Sequence, residues 1–152
     1  MRILLIAALA AFPLFAADDA KIWSDADLAA IQSKLPANLN ADNYALETFG
    51  QFGSHNILMV YREASGPSET HAEWTDLYVV QSGNATLLVG GSVENARVDS
   101  PGEVRGTGVA GARKVELQAG DVVNIPPGTA HQVVVAEGKP ITYLIVKIQK
   151  AD

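Results

Sequence analysis

Apolar residues along this chain follow two different periods. Between Trp23 and Pro36 they recur at helical spacing, with Leu28, Ile31 and Leu35 on one face. Ser24 stands where an N-cap belongs, Asp27 follows three residues later, and Pro36 closes the far end. A short N-terminal helix is predicted there. Trp23 before the cap and Leu28 after the first turn are spaced to form a hydrophobic staple.

Beyond residue 43 the period becomes that of strands. Short β-branched and aromatic runs follow one another at Tyr44–Phe52, Ile57–Tyr61, Asp76–Gln81, Ala85–Val89, Val115–Leu117, Val122–Ile125, Gln132–Val135 and Ile141–Ile148. Turn residues separate them, among them Ser65-Gly66-Pro67, Ser82-Gly83-Asn84, Gly90-Gly91, Gly120-Asp121 and Pro126-Pro127-Gly128. Many short strands with closely spaced turns predict an all-β sandwich or barrel. The last run is apolar on both faces: Ile141, Tyr143 and Ile145 on one, Leu144, Val146 and Ile148 on the other. A second sheet, the helix or a partner chain must cover both sides of it. The stretch Asn95–Lys114 is Gly-rich, carries Arg97, Arg105 and Arg113, and shows no period. It is predicted to be a long irregular loop, equally a functional segment of the kind such loops often form or a simple surface insertion.

The first residues, MRILLIAALAAFPLFAADDA, have a third pattern. Arg2 precedes an apolar run from Ile3 to Leu14, and small residues follow at Ala16 and Ala17. This is the layout of a secretory signal, and the run is too short to span a bilayer, which takes about 20 residues. The chain is read as residues 1–17, signal peptide; 18–42, N-terminal helix and arm; and 43–152, one β-barrel domain. The mature product is expected to be secreted or periplasmic, with no membrane attachment after cleavage.

Composition narrows the classes. The 152 residues carry 17 acids against 11 bases, a net charge of −6, and no basic cluster, so nucleic acid is not an expected partner. No cysteine is present, which excludes thiolate nucleophiles, disulfides and iron–sulfur ligation. GTGVAG at Gly106–Gly111 matches the dinucleotide fingerprint only formally, because no strand–turn–helix context surrounds it. The Asn84-Ala85-Thr86 sequon falls at an expected hairpin turn, where asparagine is favoured anyway. No GxSxG elbow or phosphate loop occurs.

The segment GDVVNIPPGTAH, Gly120 to His131, has more to say. Gly120-Asp121 opens a strand, Pro126-Pro127-Gly128 makes a tight turn, and His131 begins the return strand on the same face as Val133 and Val135. Its ring is thereby aimed into a barrel. Upstream, Glu69 and His71 lie two apart on one strand and face the same way, and Asp76 follows a short turn later. Glu73 shares the parity of His71 and is a rival to Glu69. Two imidazoles and two carboxylates suit Fe, Mn, Zn, Ni or Cu as divalent ions. Taken singly, each of these residues is equally a hydrogen-bonded histidine or a solvated acid. His55 matches no motif and reads as a surface residue.

The spacing G-x5-P-x-G-x2-H from Gly120 to His131 resembles the second motif of the cupin superfamily. Its first motif, G-x5-H-x-H-x3/4-E-x6-G, is similar to GPSETHAEWTDLYVVQSG in altered form. Counting back from Gly83 puts Asp76 at the glutamate position, His71 at the second histidine and Glu69 at the first. Glu63 stands where the leading glycine belongs, and Val135 where many members carry asparagine. The resemblance runs from about Tyr44 to Ile148. It implies an all-β, small antiparallel barrel of jelly-roll type, often dimeric. A divalent transition metal on Glu69, His71, Asp76 and His131 is implied as well. A metal-dependent enzyme of oxygenase, isomerase or lyase type on a small organic substrate is one reading, with Glu73 as a nearby base and Tyr78 and the Arg105 loop lining the pocket. A non-catalytic exported protein that binds a small ligand or sugar is the alternative. A homodimer is expected in both cases.

Overall fold

The computed structural model describes residues 20–151; the expected leader, residues 1–17, lies outside them. Among the described residues one α-helix, α1 (Asp25–Lys34), leads through a 3-10 turn (Leu35–Asn38) into twelve strands. These are β1 (Tyr44–Gln51), β2 (His55–Arg62), β3 (Ser68–His71), β4 (Trp74–Val89), β5 (Ser92–Glu94), β6 (Arg97–Ser100), β7 (Glu103–Gly106), β8 (Gly108–Ala110), β9 (Arg113–Gln118), β10 (Val122–Ile125), β11 (His131–Val134) and β12 (Ile141–Gln149). The main sheet runs β1-β2-β12-β4-β11-β3-β7-β6, with β9 and β10 also on β4, and β5 pairs β8 in a separate ribbon. All pairings are antiparallel, and the sheet curls into a barrel of jelly-roll type with the short helix outside it. No helix among the described residues is long and apolar enough to cross a membrane.

The helix starts as its sequence requires. The Ser24 hydroxyl accepts from the Asp27 N–H at 3.2 Å, and the Asp27 carboxylate accepts from the Ser24 N–H at 2.9 Å, closing a capping box. Ile31 and Leu35 are buried against Ala45 and Met59, with Leu28, Phe49 and Leu144 packed on them. On the outer face of β12 the helix cluster covers Leu144, while Ile148 remains exposed. Trp23 makes an edge-to-face contact with Phe49, centroids 5.2 Å apart.

Ser82-Gly83-Asn84 is not a turn. It lies inside β4, a 16-residue strand that crosses from one wall of the barrel to the other. The first half pairs with β10 and β12, the second with β9 and β11. A register shift against Thr142/Tyr143 marks a bulge at the crossing. The extra residue reverses the alternation of faces. Asp76, Tyr78 and Val80 point inward before it, and Ala85 and Leu87 after it. Gly83 adopts φ +77°, and a Cβ there would lie 1.9 Å from the Pro140 carbonyl oxygen. Glycine thus marks a barrel corner here, where sequence alone suggests a hairpin.

Asn95–Lys114 is also more regular than predicted. It contains β6, β7, β8 and the start of β9. Strand β7 pairs along β3, opposite Glu69 and His71. The barrel core has Leu87, Ile125, Ile141 and Tyr143 among its members, and Val60, Tyr78, Tyr143 and Ile145 of that core line one cavity together with Glu69, His71 and Asp76.

Candidate metal centre

Glu69 and His71 sit on β3, Asp76 on β4 and His131 at the start of β11. Direct pairing of His131 with Glu69 brings the distant hairpin onto β3. The Pro126-Pro127-Gly128 turn is pinned there too, since the Gly128 N–H donates to the His71 carbonyl at 2.7 Å. Gly128 takes φ +76°, a conformation glycine adopts without strain. The turn holds the chain in place, and His131 then points inward.

One ligand atom from each of Glu69, His71, Asp76 and His131 lies within 4.8 Å of all the others. His71 Nε2 is 3.4 Å from Asp76 Oδ2 and 3.9 Å from Glu69 Oε2. His131 Nε2 is 3.3 Å from Glu69 Oε1 and 3.8 Å from Asp76 Oδ2. Both histidines and Asp76 are buried. A cavity of about 360 Å³ opens beside them, lined also by Arg62, Trp74, Tyr78 and Tyr143.

Each imidazole is held by its far nitrogen. His131 Nδ1 lies 2.9 Å from the Thr129 carbonyl oxygen, which can only accept, so Nδ1 carries a proton and Nε2 is the nitrogen turned toward the carboxylates. That Nε2 is buried and has no hydrogen-bond partner. His71 Nδ1 is 2.5 Å from a Glu103 carboxylate oxygen, which Arg105 Nη1 also contacts at 3.1 Å. A histidine that donates one nitrogen to a carbonyl or carboxylate and offers the other to a shared centre is the usual arrangement around a bound metal. The donor set fits a divalent ion.

A cation of the chain itself reaches the same point. Lys147 Nζ on β12 donates to Asp76 Oδ1 at 2.6 Å and lies 3.2 Å from His71 Nε2. A metal ion and this ammonium would compete for the same lone pairs.

The electrostatics follow from this crowding. Burial works to raise the Glu69 carboxyl, but His131, His71 and Arg105 outweigh it and hold the group down at about 2. Asp76 is likewise pushed up by burial and brought below its ordinary value by His71 and Lys147. For His71 burial works downward, yet Asp76 and Glu69 raise it despite Lys147. Tyr78 is raised well above its ordinary value, first by burial, then by the nearby Tyr143, Asp76 and Glu69.

Of the residues singled out from sequence, Glu69, His71, Asp76 and His131 converge. Tyr78 lines the cavity, with its hydroxyl 3.5 Å from Asp76 Oδ2. Glu73 does not join them. Strand β3 ends at His71, Ala72 and Glu73 form the bend into β4, and Glu73 is exposed. The parity that made it a rival to Glu69 stops at that bend. His55 lies on β2, its ring stacked on Phe52 with centroids 4.7 Å apart. Three residues were missed: Lys147, Glu103 and Arg62. Lys147 had a signal, since it continues the inward alternation of Tyr143 and Ile145. Glu103 had none, because only the pairing of β7 with β3 brings it to the site.

No protein-family model and no curated protein sequence matches the chain. Solved structures do. The polyketide cyclase RemF from Streptomyces resistomycificus aligns with a TM-score of 0.52 at 18% identity, over 72% of this chain and 68% of its own. Pac13, a nucleoside dehydratase studied as a Streptomyces protein with uridine, aligns with a TM-score of 0.52 at 15% identity, over 75% of this chain and 76% of its own. The DMSP lyase DddQ from Ruegeria pomeroyi aligns with a TM-score of 0.52 at 21% identity, over 75% of this chain but 51% of its own. All three are cupin-fold proteins. This chain has the cupin fold. The four converging side chains are the ones that the motif-like spacing singled out in the sequence.

Proposed function

We propose that this cupin is a metal-dependent enzyme acting on a small organic substrate. One observation carries the reading: two buried imidazoles, each anchored through Nδ1, turn Nε2 toward two carboxylates within 4.8 Å. Glu69, His71, Asp76 and His131 would hold the ion. When bound, a divalent ion in such a site supplies Lewis-acid polarisation of a substrate oxygen.

The chain's own residues do the rest. Glu103 and the Thr129 carbonyl keep the two rings in orientation. Tyr78 Oη and Lys147 Nζ are proton-bearing groups that line the cavity outside the ligand set. Trp74 and Tyr143 give the cavity apolar wall and limit water. The fold neighbours carry names of a cyclase, a dehydratase and a lyase, reactions that move protons and rearrange bonds. That supports lyase or isomerase chemistry ahead of oxygenation, although a fold hosts many reactions.

A second reading has its own support. Lys147 already puts a positive charge against Asp76 and His71, so the site can work as a metal-free acid–base cluster or as a non-catalytic ligand pocket. Elemental mass spectrometry of the purified protein and of His131→Ala separates the two. Near-stoichiometric Fe, Mn, Zn, Ni or Cu in the parent, lost in the variant, supports the metalloenzyme. No metal in either, even after anaerobic refilling, leaves the metal-free readings.

Export and dimerisation are proposed on the leader-like first 17 residues and on the cupin resemblance. Amino-terminal sequencing of the exported product checks the first. Sedimentation at several concentrations checks the second.

A further inference from the structure

Three cations line the cavity, and two of them are paired with carboxylates. Arg105 lies 3.1 Å from Glu103 and 3.5 Å from Glu69, and Lys147 lies 2.6 Å from Asp76. Arg62 is the third. Among the described residues no carboxylate comes within 4.0 Å of it to form an ion pair. Its Nη1 is buried and has no hydrogen-bond acceptor. Glu69 acts on it only from beyond ion-pair distance, and a largely enclosed guanidinium with no carboxylate in contact is costly.

The surroundings hold this group in place. Arg62 Nε donates to the Tyr143 hydroxyl at 2.9 Å, and Tyr143 itself is buried. The guanidinium carbon stacks 4.7 Å from the centre of the Tyr44 ring. A Cβ at residue 66 would lie 2.8 Å from Nη1, so Gly66 leaves the guanidinium room that alanine would take. Tyr143 lies in the barrel core and Tyr44 lines the cavity, so Arg62 is fixed on the same cavity that holds the candidate metal centre.

The charge of the cavity points the same way. Three carboxylates, Glu69, Asp76 and Glu103, face three cations, Arg62, Arg105 and Lys147. A divalent ion would leave the lining positive, even with the exposed Asp42 at the rim counted.

We infer that the ligand of this cavity is a small organic carboxylate whose negative end is taken by Arg62. Planar guanidinium and carboxylate match in shape as well as charge. The inference deepens the metalloenzyme reading and rests on it for the excess of positive charge. The unpaired Arg62 stands apart from that reading.

Calorimetric titration with malonate and with benzoate, beside the neutral malonamide and benzamide, tests it on the purified protein. Either carboxylate should bind saturably, and the amides at least about tenfold more weakly. Arg62→Met should lose that binding and keep or raise the melting temperature, because an unpaired buried charge is removed. Arg62→Lys should recover only part of the affinity, lacking the planar fork. His131→Ala, run in parallel, disables the metal centre and leaves Arg62 in place. Carboxylate binding retained in His131→Ala but lost in Arg62→Met supports the inference, even where elemental analysis finds no metal and the metalloenzyme reading fails. Carboxylate binding unchanged in Arg62→Met overturns it, as does no preference for acid over amide. Failure of both carboxylates to bind the parent overturns it too.

Discussion

Lys147 and Asp76 face each other across β12 and β4 as direct cross-strand partners, and the lysine ammonium rests 2.6 Å from the carboxylate. It stands where a cation bridging Asp76 and His71 would stand. Replacing Lys147 with methionine keeps the stem volume and removes the competing charge. Zinc should then bind the purified, metal-stripped protein at least about tenfold more tightly, since like charges a few ångströms apart repel by more than about 1 kcal/mol even at high effective dielectric. Equal affinities in parent and Lys147→Met, measured by competition with a chelating dye, would show that the ammonium swings away freely.

Glu103 lies outside the candidate ligand set and accepts from His71 Nδ1. Glu103→Gln keeps a hydrogen-bond acceptor and loses the charge. Zinc affinity is expected to fall roughly 10- to 100-fold, the usual effect of altering a residue that orients a ligating histidine. Circular dichroism should find the fold unchanged.

The carboxylates make the metal-free protein respond to acid in a defined window. Glu69 has its folded value depressed from 4.5 to about 2. Its contribution to stability is therefore present above pH 4.5 and is lost as the pH falls through that window toward about 2. Comparing the parent with Glu69→Gln by urea unfolding in chelator, the gap should be about 2–3 kcal/mol above the window and close within it. A gap that persists unchanged to the acid end would mean that Glu69 is not held by the histidines.

His71 runs in the opposite sense. Its folded value is raised above 6.5, so its contribution is complete below that pH and is lost as pH climbs through the raised value. The difference in melting temperature between the metal-free parent and His71→Gln should shrink on going from pH 6 to pH 9, by an amount on the order of a few degrees. A difference that widens over that range would contradict the assignment.

Gly83 tests the barrel corner. Its φ of +77° disfavours any side chain, and a Cβ would meet the Pro140 oxygen at 1.9 Å. Gly83→Ala should destabilise the fold by about 3 kcal/mol or more, measured by denaturant unfolding. Gly53, with open space around its position, is the control and should tolerate alanine within about 0.5 kcal/mol.

Much of the architecture was legible because it is written in local terms. Helix α1 is specified by Ser24, Asp27 and Pro36, a cap and a stop acting over a few residues. The strand alternation around His131 and the Pro-Pro-Gly turn are equally local, and they sufficed to aim that ring inward. Glu69 and His71 share a face by the period of two, and the structure brings them together with Asp76 and His131. Where the reading failed, one residue pattern had two physical meanings. Ser82-Gly83-Asn84 suits a hairpin turn and also a bulge within a long strand, and only the presence of β12 alongside decides between them. Glu73 kept its parity in the sequence and lost it at a bend.

The sequence by itself determined the elements, the inward direction of His131 and the residue types available for a centre, because periodicity and turn chemistry act between near neighbours. Tertiary structure alone decided what surrounds that centre. Glu103 and Arg105 arrive through the pairing of β7 with β3, and Lys147 through the pairing of β12 with β4. Arg62 is fixed by a tyrosine 81 residues away. Such partners are chosen by strand order and register, which depend on how the whole sheet closes and on no single stretch of the chain.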